Sequence, residues 1–137
     1  MRTWRPALAP DPVAASRIST LLFDCHDPRV LADFWCAALG FEEYDADETG
    51  VATRDPSGTD RGLLFQIVPE EKAVKNRLHL DLIPPSTMKE EVERLLAAGA
   101  IRQRYVVEGD SYWTIMEDPE GNEFCVLRGD SERAQAT

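Results

Sequence analysis

The sequence predicts one α+β domain built from two copies of a βαβββ unit. Its 137 residues, 43% hydrophobic and 29% charged, are typical of a single globular domain. Each half of the chain has the same predicted order of elements: a strand, a helix and three strands. Landmarks also recur at one spacing: Gly40 and Gly99, which end the predicted helices, are 59 residues apart, as are the strand aromatics Phe65 and Phe124. The repeat predicts two modules related by pseudo-two-fold symmetry that form a cupped mixed sheet.

The predicted boundaries follow from composition. A Pro- and Ala-rich arm without clear periodicity is expected over residues 1–16, and a short tail over residues 129–137. Between them, the domain spans residues 17–128 and consists of modules 17–70 and 76–128.

The first module begins with the β-branched and apolar strand RISTLLFD (17–24). Asp27 and Pro28 then suit the N-cap and first position of a helix. This helix has one apolar face, and Gly40 is its expected left-handed terminator. The face consists of Leu31, Phe34, Trp35 and Ala38. Three further strands are predicted in the stretches FEEYDA, VATRDP and GLLFQIV.

The second module repeats this order. It starts with the alternating strand RLHLDLI (77–83). Ser86 is the expected helix N-cap because it lies 59 residues after Asp27, and Thr87 with Glu90 offers a second capping pair. The helix presents Met88, Val92, Leu95 and Leu96. The strands that follow are IRQRYVV, SYWTIME and NEFCVL.

Two turns of the same type precede the last strands. The stretches DPSG (55–58) and DPEG (118–121) both have the Asp, Pro and Gly placement of a type I turn. They are 63 residues apart rather than 59, so the first module is expected to carry about four extra residues, placed at 59–62.

Strand alternation then predicts the site. In RLHLDLI, Leu78, Leu80 and Leu82 should face the helix, which directs His79 and Asp81 to the concave side. By the same alternation, the last strand directs Glu123, Cys125 and Leu127 to that side. Applying the 59-residue spacing to His79 and Cys125 adds Thr20 and Gln66, so these four side chains are expected to converge near the pseudo-two-fold axis.

Charge and composition exclude several classes of partner. With 25 acidic and 15 basic side chains, the formal net charge is −10, which disfavours nucleic acid. No apolar run is long enough to cross a membrane and no signal-peptide core is evident, so a cytoplasmic protein is expected. Its three cysteines are odd in number and lack metal-knuckle spacing, which predicts reduced thiols.

Three segments resemble one protein family: FDCHDPRVLADFWCAALGF (23–41), KNRLHLDL (75–82) and DPEGNEFCVL (118–127). In order, they are similar to the vicinal oxygen chelate superfamily, in its glyoxalase and bleomycin-resistance branch. The resemblance covers about residues 17–128. It implies paired modules with a cupped sheet, frequent homodimers and, in the family's enzymes, a divalent metal held at four positions.

By motif alignment, the four metal positions of the family fall on Thr20, Gln66, His79 and Cys125. The family's enzymes usually have His, Gln or Glu there, so Thr20 and Cys125 depart from the pattern. Only His79 and a deprotonated Cys125 would bind zinc well, with Gln66 a weaker ligand. We therefore expect a protein that binds a small molecule in the cup without the standard metal site. The alternative is a lyase, isomerase or dioxygenase that uses zinc, nickel, iron or manganese with His79 and Cys125 or Glu123.

Other candidate residues leave two readings open. His79 is either a hydrogen-bonded pocket wall or a ligand or acid/base group. Glu123 is either a base with a raised pKa or a solvated acid, and Cys125 is a nucleophile only if a partner activates it. One of the neighbours Tyr112 and Trp113 should face the concavity, and Trp113 is included in the predicted site with Asp81.

The basic residues before the histidine strand also have two readings. Lys72, Lys75 and Arg77 form either a solvated loop or a rim that attracts an anionic ligand.

Overall fold

The computed structural model describes residues 15–134. Module 1 contains β1 (Thr20–Cys25), α1 (Pro28–Leu39), β2 (Glu42–Asp47), β3 (Gly50–Arg54) and β4 (Gly62–Ile67). Module 2 contains β5 (Leu80–Leu82), α2 (Met88–Ala98), β6 (Ile101–Glu108), β7 (Ser111–Glu117) and β8 (Glu123–Leu127). A short helix, α3 (Asp130–Ala134), follows within the predicted tail. The βαβββ order is confirmed in both modules, whereas most of the predicted arm, residues 1–14, lies outside the described residues.

Each module forms one four-stranded sheet. The strand orders are β1-β4-β3-β2 and β5-β8-β7-β6, so the two sheets match strand for strand. In each sheet the first and last strands are parallel and the other pairs antiparallel. This agreement confirms the predicted α+β fold of two equivalent modules. The sheets are separate ladders, because neither β1 nor β5 is hydrogen-bonded to a strand of the other sheet.

Three of the four predicted helix caps are confirmed: Asp27, Gly40 and Gly99. Asp27 caps α1 by accepting a hydrogen bond from the Val30 N–H at 3.2 Å. Both helices end at glycines with positive φ, 71° at Gly40 and 118° at Gly99, where a side chain would be strained.

The predicted cap of α2 at Ser86 is wrong, and the second predicted capping pair, Thr87 with Glu90, is the one that the structure contains. Thr87 is the N-cap: its Oγ1 accepts the Glu90 N–H at 3.1 Å and donates to the Glu90 carboxylate at 2.9 Å. The Met88 N–H of the first turn is satisfied by Glu132 of α3 at 2.9 Å. A capping box and a tertiary contact therefore start the helix one residue later than the repeat predicted.

Both helices and the faces of the two sheets that they cover share one hydrophobic core. Its centre is aromatic: Trp35 of α1 lies 5.1 Å from Phe124 of β8 and 5.2 Å from Phe34, measured between ring centroids. Trp35 is thus a core residue, as predicted. Leu80 and Leu82 also pack against this core.

Leu78 does not face the core. Its exposed fraction is 72%, because β5 starts only at Leu80 and the chain before it is outside the sheet. The prediction for Leu78 is wrong because strand alternation does not apply before Leu80, where the chain is not yet part of β5.

Neither module has a helix suited to a membrane: within residues 15–134, no helix is both long and apolar enough to cross one.

Candidate functional site

A groove of about 320 Å³ lies between the two modules. Its volume falls in the range of small-molecule sites. One side is formed by β1, the other by the segment before β5 and the start of β8, and Trp35 and Phe124 lie at its apolar floor. The residues that line the groove include Thr20, Leu22, Asp24, Asn76, Leu78 and Glu123. Of the predicted site residues, this groove brings together Thr20 of module 1 and Glu123 of module 2.

Gln66 lies elsewhere. In the parallel pairing of β1 with β4, Thr20 is opposite Gly62 and Gln66 is opposite Asp24. Thr20 and Gln66 are therefore separated by four residues along the strand direction, about 13 Å. Gln66 lines a separate cavity of about 120 Å³ with Asp45 and Asp47.

The strand register explains why Thr20 and His79 are not equivalent. Phe23 is opposite Phe65 in module 1, whereas Leu80 is opposite Phe124 in module 2. The first strands are thus related by 57 residues and the last strands by 59. This two-residue difference makes Leu22, not Thr20, the counterpart of His79.

Glu123 is a buried ion-pair partner. Its exposed fraction is 8%, and its carboxylate accepts hydrogen bonds from Lys75 Nζ at 2.9 Å and from the Asn76 N–H at 3.2 Å. The hydrogen bond from Lys75 is the main cause that holds the pKa of Glu123 below its usual value, against the effect of burial. Glu123 is accordingly neither a base with a raised pKa nor a solvated acid.

Lys75 and Lys72 therefore do not form a free basic rim. Lys75 is bonded to Glu123, and Lys72 approaches the same carboxylate at 4.0 Å and donates to the Val74 carbonyl at 2.5 Å. Asn76 also binds the backbone of Glu123, because its Oδ1 accepts the Glu123 N–H at 3.1 Å. Lys75, Asn76 and Glu123 together form a hydrogen-bonded cluster, the Glu123 clamp. Nothing in the sequence marked Asn76 as part of a site.

His79 is half-buried next to this clamp. Its Nε2 lies 2.8 Å from the carbonyl oxygen of Asn76, three residues earlier. His79 is thus hydrogen-bonded as the first reading expected, but it does not line the groove.

Cys125 and Asp81 are opposite each other in the β5–β8 pairing. Burial, followed by the charge of Asp81, raises the pKa of the Cys125 thiol to about 11. Because the thiolate is the reactive and metal-binding form, this environment opposes a role as nucleophile or ligand. Cys25 is still less reactive, since burial raises the pKa of its thiol to about 12.

Trp113 and Tyr112 face opposite sides of the module 2 sheet. Thr114 contacts Met88 of α2, so Tyr112, two residues before it, also lies on the helix side. There the Arg128 guanidinium lies 6.0 Å from the centroid of the Tyr112 ring. Trp113 lies on the other face, where Ile115 is opposite Cys125. Trp113 is thus the inward aromatic of the pair, although it does not line the groove.

Asp118 supports the floor of the groove. It is fully buried and accepts hydrogen bonds from Trp35 Nε1 at 3.0 Å, Asn122 Nδ2 at 2.9 Å and the backbone N–H groups of Glu120 and Asn122. Burial raises the pKa of Asp118, although the bonds from Asn122 and Trp35 partly offset it. The sequence identified the turn at Asp118 but gave no sign of its contact with Trp35.

The residues at the four family positions do not fit the family's metal. Thr20 Oγ1 donates to the Gly62 carbonyl at 3.0 Å, Gln66 is on a separate cavity, His79 has one nitrogen engaged, and Cys125 is a protonated thiol. Throughout residues 15–134, no three His, Cys, Asp or Glu side chains are grouped so as to hold an ion.

Comparison with known structures shows the same fold in several proteins. A glyoxalase/bleomycin resistance/dioxygenase family enzyme from Burkholderia phytofirmans PsJN has a TM-score of 0.63 and 20% identity, covering 79% of this chain and 94% of its own. The glyoxalase-related enzyme from Fulvimarina pelagi has a TM-score of 0.65 and 14% identity, covering 85% and 90%.

A variant of the fosfomycin resistance protein FosX from Listeria monocytogenes, complexed with Mn(II) and 1S,2S-dihydroxypropylphosphonic acid, has a TM-score of 0.69. It is 15% identical, and the match covers 89% of this chain and 97% of FosX. At these identities the likeness shows the fold alone.

The sequence itself was compared with family models and with curated proteins. No curated protein matches it. The family model described as a glyoxalase-like domain matches residues 20–127, which include both modules. This match spans most of the chain and agrees with the paired βαβββ sheets, and on that basis the protein belongs to the glyoxalase-like domain family.

Proposed function

We propose that this protein is a cytoplasmic binder of a small organic molecule, held in the groove between the modules without the family's metal. The observation that carries the proposal is the groove itself. It combines an apolar aromatic floor with a few polar groups at its rim, Thr20, Asp24 and Asn76 among them. Ligand sites of proteins have this composition: apolar walls give affinity and a few polar groups orient the ligand.

The ligand-binding form is proposed to be a homodimer. Within the described residues, β1 and β5 each have one strand neighbour only, so each leaves an edge unpaired next to the groove. Unpaired edges favour association with another strand or chain. Light scattering of the purified protein tests this, and a mass of twice 15.4 kDa is expected.

The binding site is tested by filling the groove. Leu22 is 48% exposed and lines the groove, so Leu22→Trp adds bulk there without entering the core. Ile67→Trp is the matched control, because Ile67 is 49% exposed and lies on β4. We expect fragments detected by ligand-observed NMR to bind Leu22→Trp about tenfold or more weakly and Ile67→Trp normally. Equal binding to both variants would contradict the groove.

Trp113→Ala tests whether a fragment binds on the sheet face that carries Cys125 and not in the groove. A fragment that loses affinity for Trp113→Ala but not for Leu22→Trp binds on that face, and the groove proposal is then wrong.

The second candidate is a metal-dependent lyase, isomerase or dioxygenase. The observation in its favour is that the FosX neighbour is complexed with Mn(II). Metal analysis of the purified protein, followed by thermal shift with zinc, nickel, iron and manganese, distinguishes the candidates. A stoichiometric ion that is lost in His79→Ala supports the enzyme, and no ion with no shift supports the binder.

A further inference from the structure

The groove runs along the edge of β1 rather than over one face of its sheet. Five consecutive residues of β1, Thr20–Asp24, line it. A groove over a single face would be lined by alternate residues only, because successive side chains of a strand point to opposite faces. Within residues 15–134, β1 is bonded to β4 on one side and to no strand on the other. The groove therefore follows an unpaired strand edge over about 13 Å.

The backbone groups of Leu22 and Asp24 point to this edge. The Cys25 carbonyl accepts the N–H of Val68, the residue after β4, at 2.9 Å, so the backbone of Cys25 faces β4. In a parallel pair, both backbone groups of one residue face the partner strand and those of the next residue face away. Leu22 and Asp24 lie three residues and one residue before Cys25, and in the described part of the chain nothing is bonded to their N–H or C=O groups. They thus present two donors and two acceptors in alternation.

The end of the groove at Asp24 is acidic. Asp24 also lines a neighbouring cavity of about 510 Å³, together with Glu70, Glu71, Glu120 and one cation, Lys72. Four carboxylates against one ammonium give this end a negative charge, in a chain whose net charge is −10. Asp24 is exposed and forms no ion pair with any residue from 15 to 134. A positive group of a ligand is therefore favoured beside it.

We infer that the groove takes an extended peptide, or another molecule with successive amide groups, that adds a strand to the free edge of β1. The inference rests on the proposed function and names the chemical class of its ligand. Alternating donors and acceptors on a strand edge are satisfied together by a second extended amide backbone, since each amide supplies one N–H and one C=O. The edge of β5 then remains for the proposed homodimer.

The two sides of the groove also select side chains. Those of a paired peptide alternate between the aromatic floor, formed by Trp35 and Phe124, and the opposite side, where Asp24 lies. Apolar residues on both sides of one basic residue fit this alternation. The test peptide is therefore acetyl-Leu-Lys-Leu-amide.

Amide hydrogen exchange of the ¹⁵N-labelled full-length protein tests the pairing. With the test peptide at about 10 mM, the N–H groups of Leu22 and Asp24 should exchange about tenfold more slowly, whereas that of Phe23, which faces β4, should change little. The same peptide methylated on its three backbone nitrogens should give no such slowing, because it has no donor for the edge. No slowing by the test peptide, or equal slowing at all three positions, would overturn the inference.

The charge preference is tested with Asp24→Asn. The matched control is Asp110→Asn, an exposed aspartate between β6 and β7 and outside the groove. In chemical-shift titrations, the test peptide should bind Asp24→Asn about threefold more weakly and Asp110→Asn normally, because an exposed ion pair contributes little. Tighter binding of acetyl-Leu-Glu-Leu-amide than of the test peptide to the unmodified protein would contradict the role of Asp24.

Other occupants of the edge give different results. If a second copy or another segment of this chain covers β1, the N–H groups of Leu22 and Asp24 are already protected without peptide, and the inference is wrong. The groove experiment is read separately. Fragments that bind normally and are lost in Leu22→Trp, with no effect of the test peptide, would refute the peptide class and leave the proposed function intact, whereas fragments unaffected by Leu22→Trp would refute the proposed function itself.

Discussion

The first DP-x-G turn, 55–58, lies at the surface, whereas its counterpart, 118–121, lies beneath helix α1. Both turns close with the same bond, from the glycine N–H to the aspartate carbonyl, at 3.0 Å in the first and 2.9 Å in the second. The Asp55 carboxylate accepts hydrogen bonds from the Asp60 N–H and then from Ser57, and these bonds hold its pKa below the usual value. Asp118 is buried against Trp35, and burial raises its pKa. The same local sequence thus gives opposite electrostatic environments, because only one module places a helix from its neighbour over the turn.

The largest expected effect comes from removing each aspartate in turn. Asp118→Ala leaves one buried donor, Trp35 Nε1, and three partly buried donors without an acceptor, so we expect it to lower the free energy of unfolding by about 3 kcal/mol. Asp55→Ala should cost far less, because water replaces the lost acceptor. Urea denaturation at neutral pH measures both. Similar losses would show that the turn, and not its burial, makes Asp118 important.

A smaller effect is expected at the start of α2. Thr87→Ala removes the side-chain acceptor for the Glu90 N–H and should cost about 1 kcal/mol. Ser86→Ala is the matched control and should change stability by less than about 0.5 kcal/mol, because Ser86 does not cap the helix. Thermal or urea unfolding of the two variants compares them. A larger loss of stability in Ser86→Ala than in Thr87→Ala would show that Ser86 is the N-cap, as the 59-residue spacing predicted.

The smallest expected effect is a difference in pH dependence. The native pKa of Asp118 is raised from an ordinary 3.8, so the native state binds more protons and Asp118 stabilises the fold increasingly as pH falls through that raised value. The native pKa of Asp55 is lowered, so its contribution is present above 3.8 and is lost as pH falls further.

The two Asp→Asn variants check these signs. Urea unfolding of Asp118→Asn, Asp55→Asn and the unmodified protein between about pH 3 and pH 7 covers the ordinary carboxyl range. As pH falls, the unmodified protein should gain stability relative to Asp118→Asn and lose it relative to Asp55→Asn. Changes of the same sign in both comparisons would contradict the opposite shifts.

Much of the fold was predictable because it depends on local chemistry. Asp27 starts α1, and Gly40 and Gly99 end α1 and α2, through hydrogen bonds and backbone angles that involve only neighbouring residues. The order of strands was predictable because each module repeats one pattern of apolar residues. Trp35 was correctly assigned to the core from helical periodicity alone.

The candidate site was predictable only in part, because it depends on strand register. A shift of two residues between β1 and β5 preserves which face each side chain occupies, so alternation cannot detect it. It nevertheless moves Thr20 away from Gln66 and gives His79 a leucine as its counterpart. The spacing of helix ends and last strands carried no information about this shift.

The sequence by itself determined the two-module plan, the helix termini, the turns and the faces of most strands, since each follows from interactions within a few residues. Only the tertiary structure decided that Asp118 is buried, that Glu123 is bound by Lys75 and Asn76, and that Thr20 and Gln66 line separate cavities. The physical reason is that burial and pairing depend on which segments distant in sequence come together, and two nearly identical turns show that local sequence does not specify this.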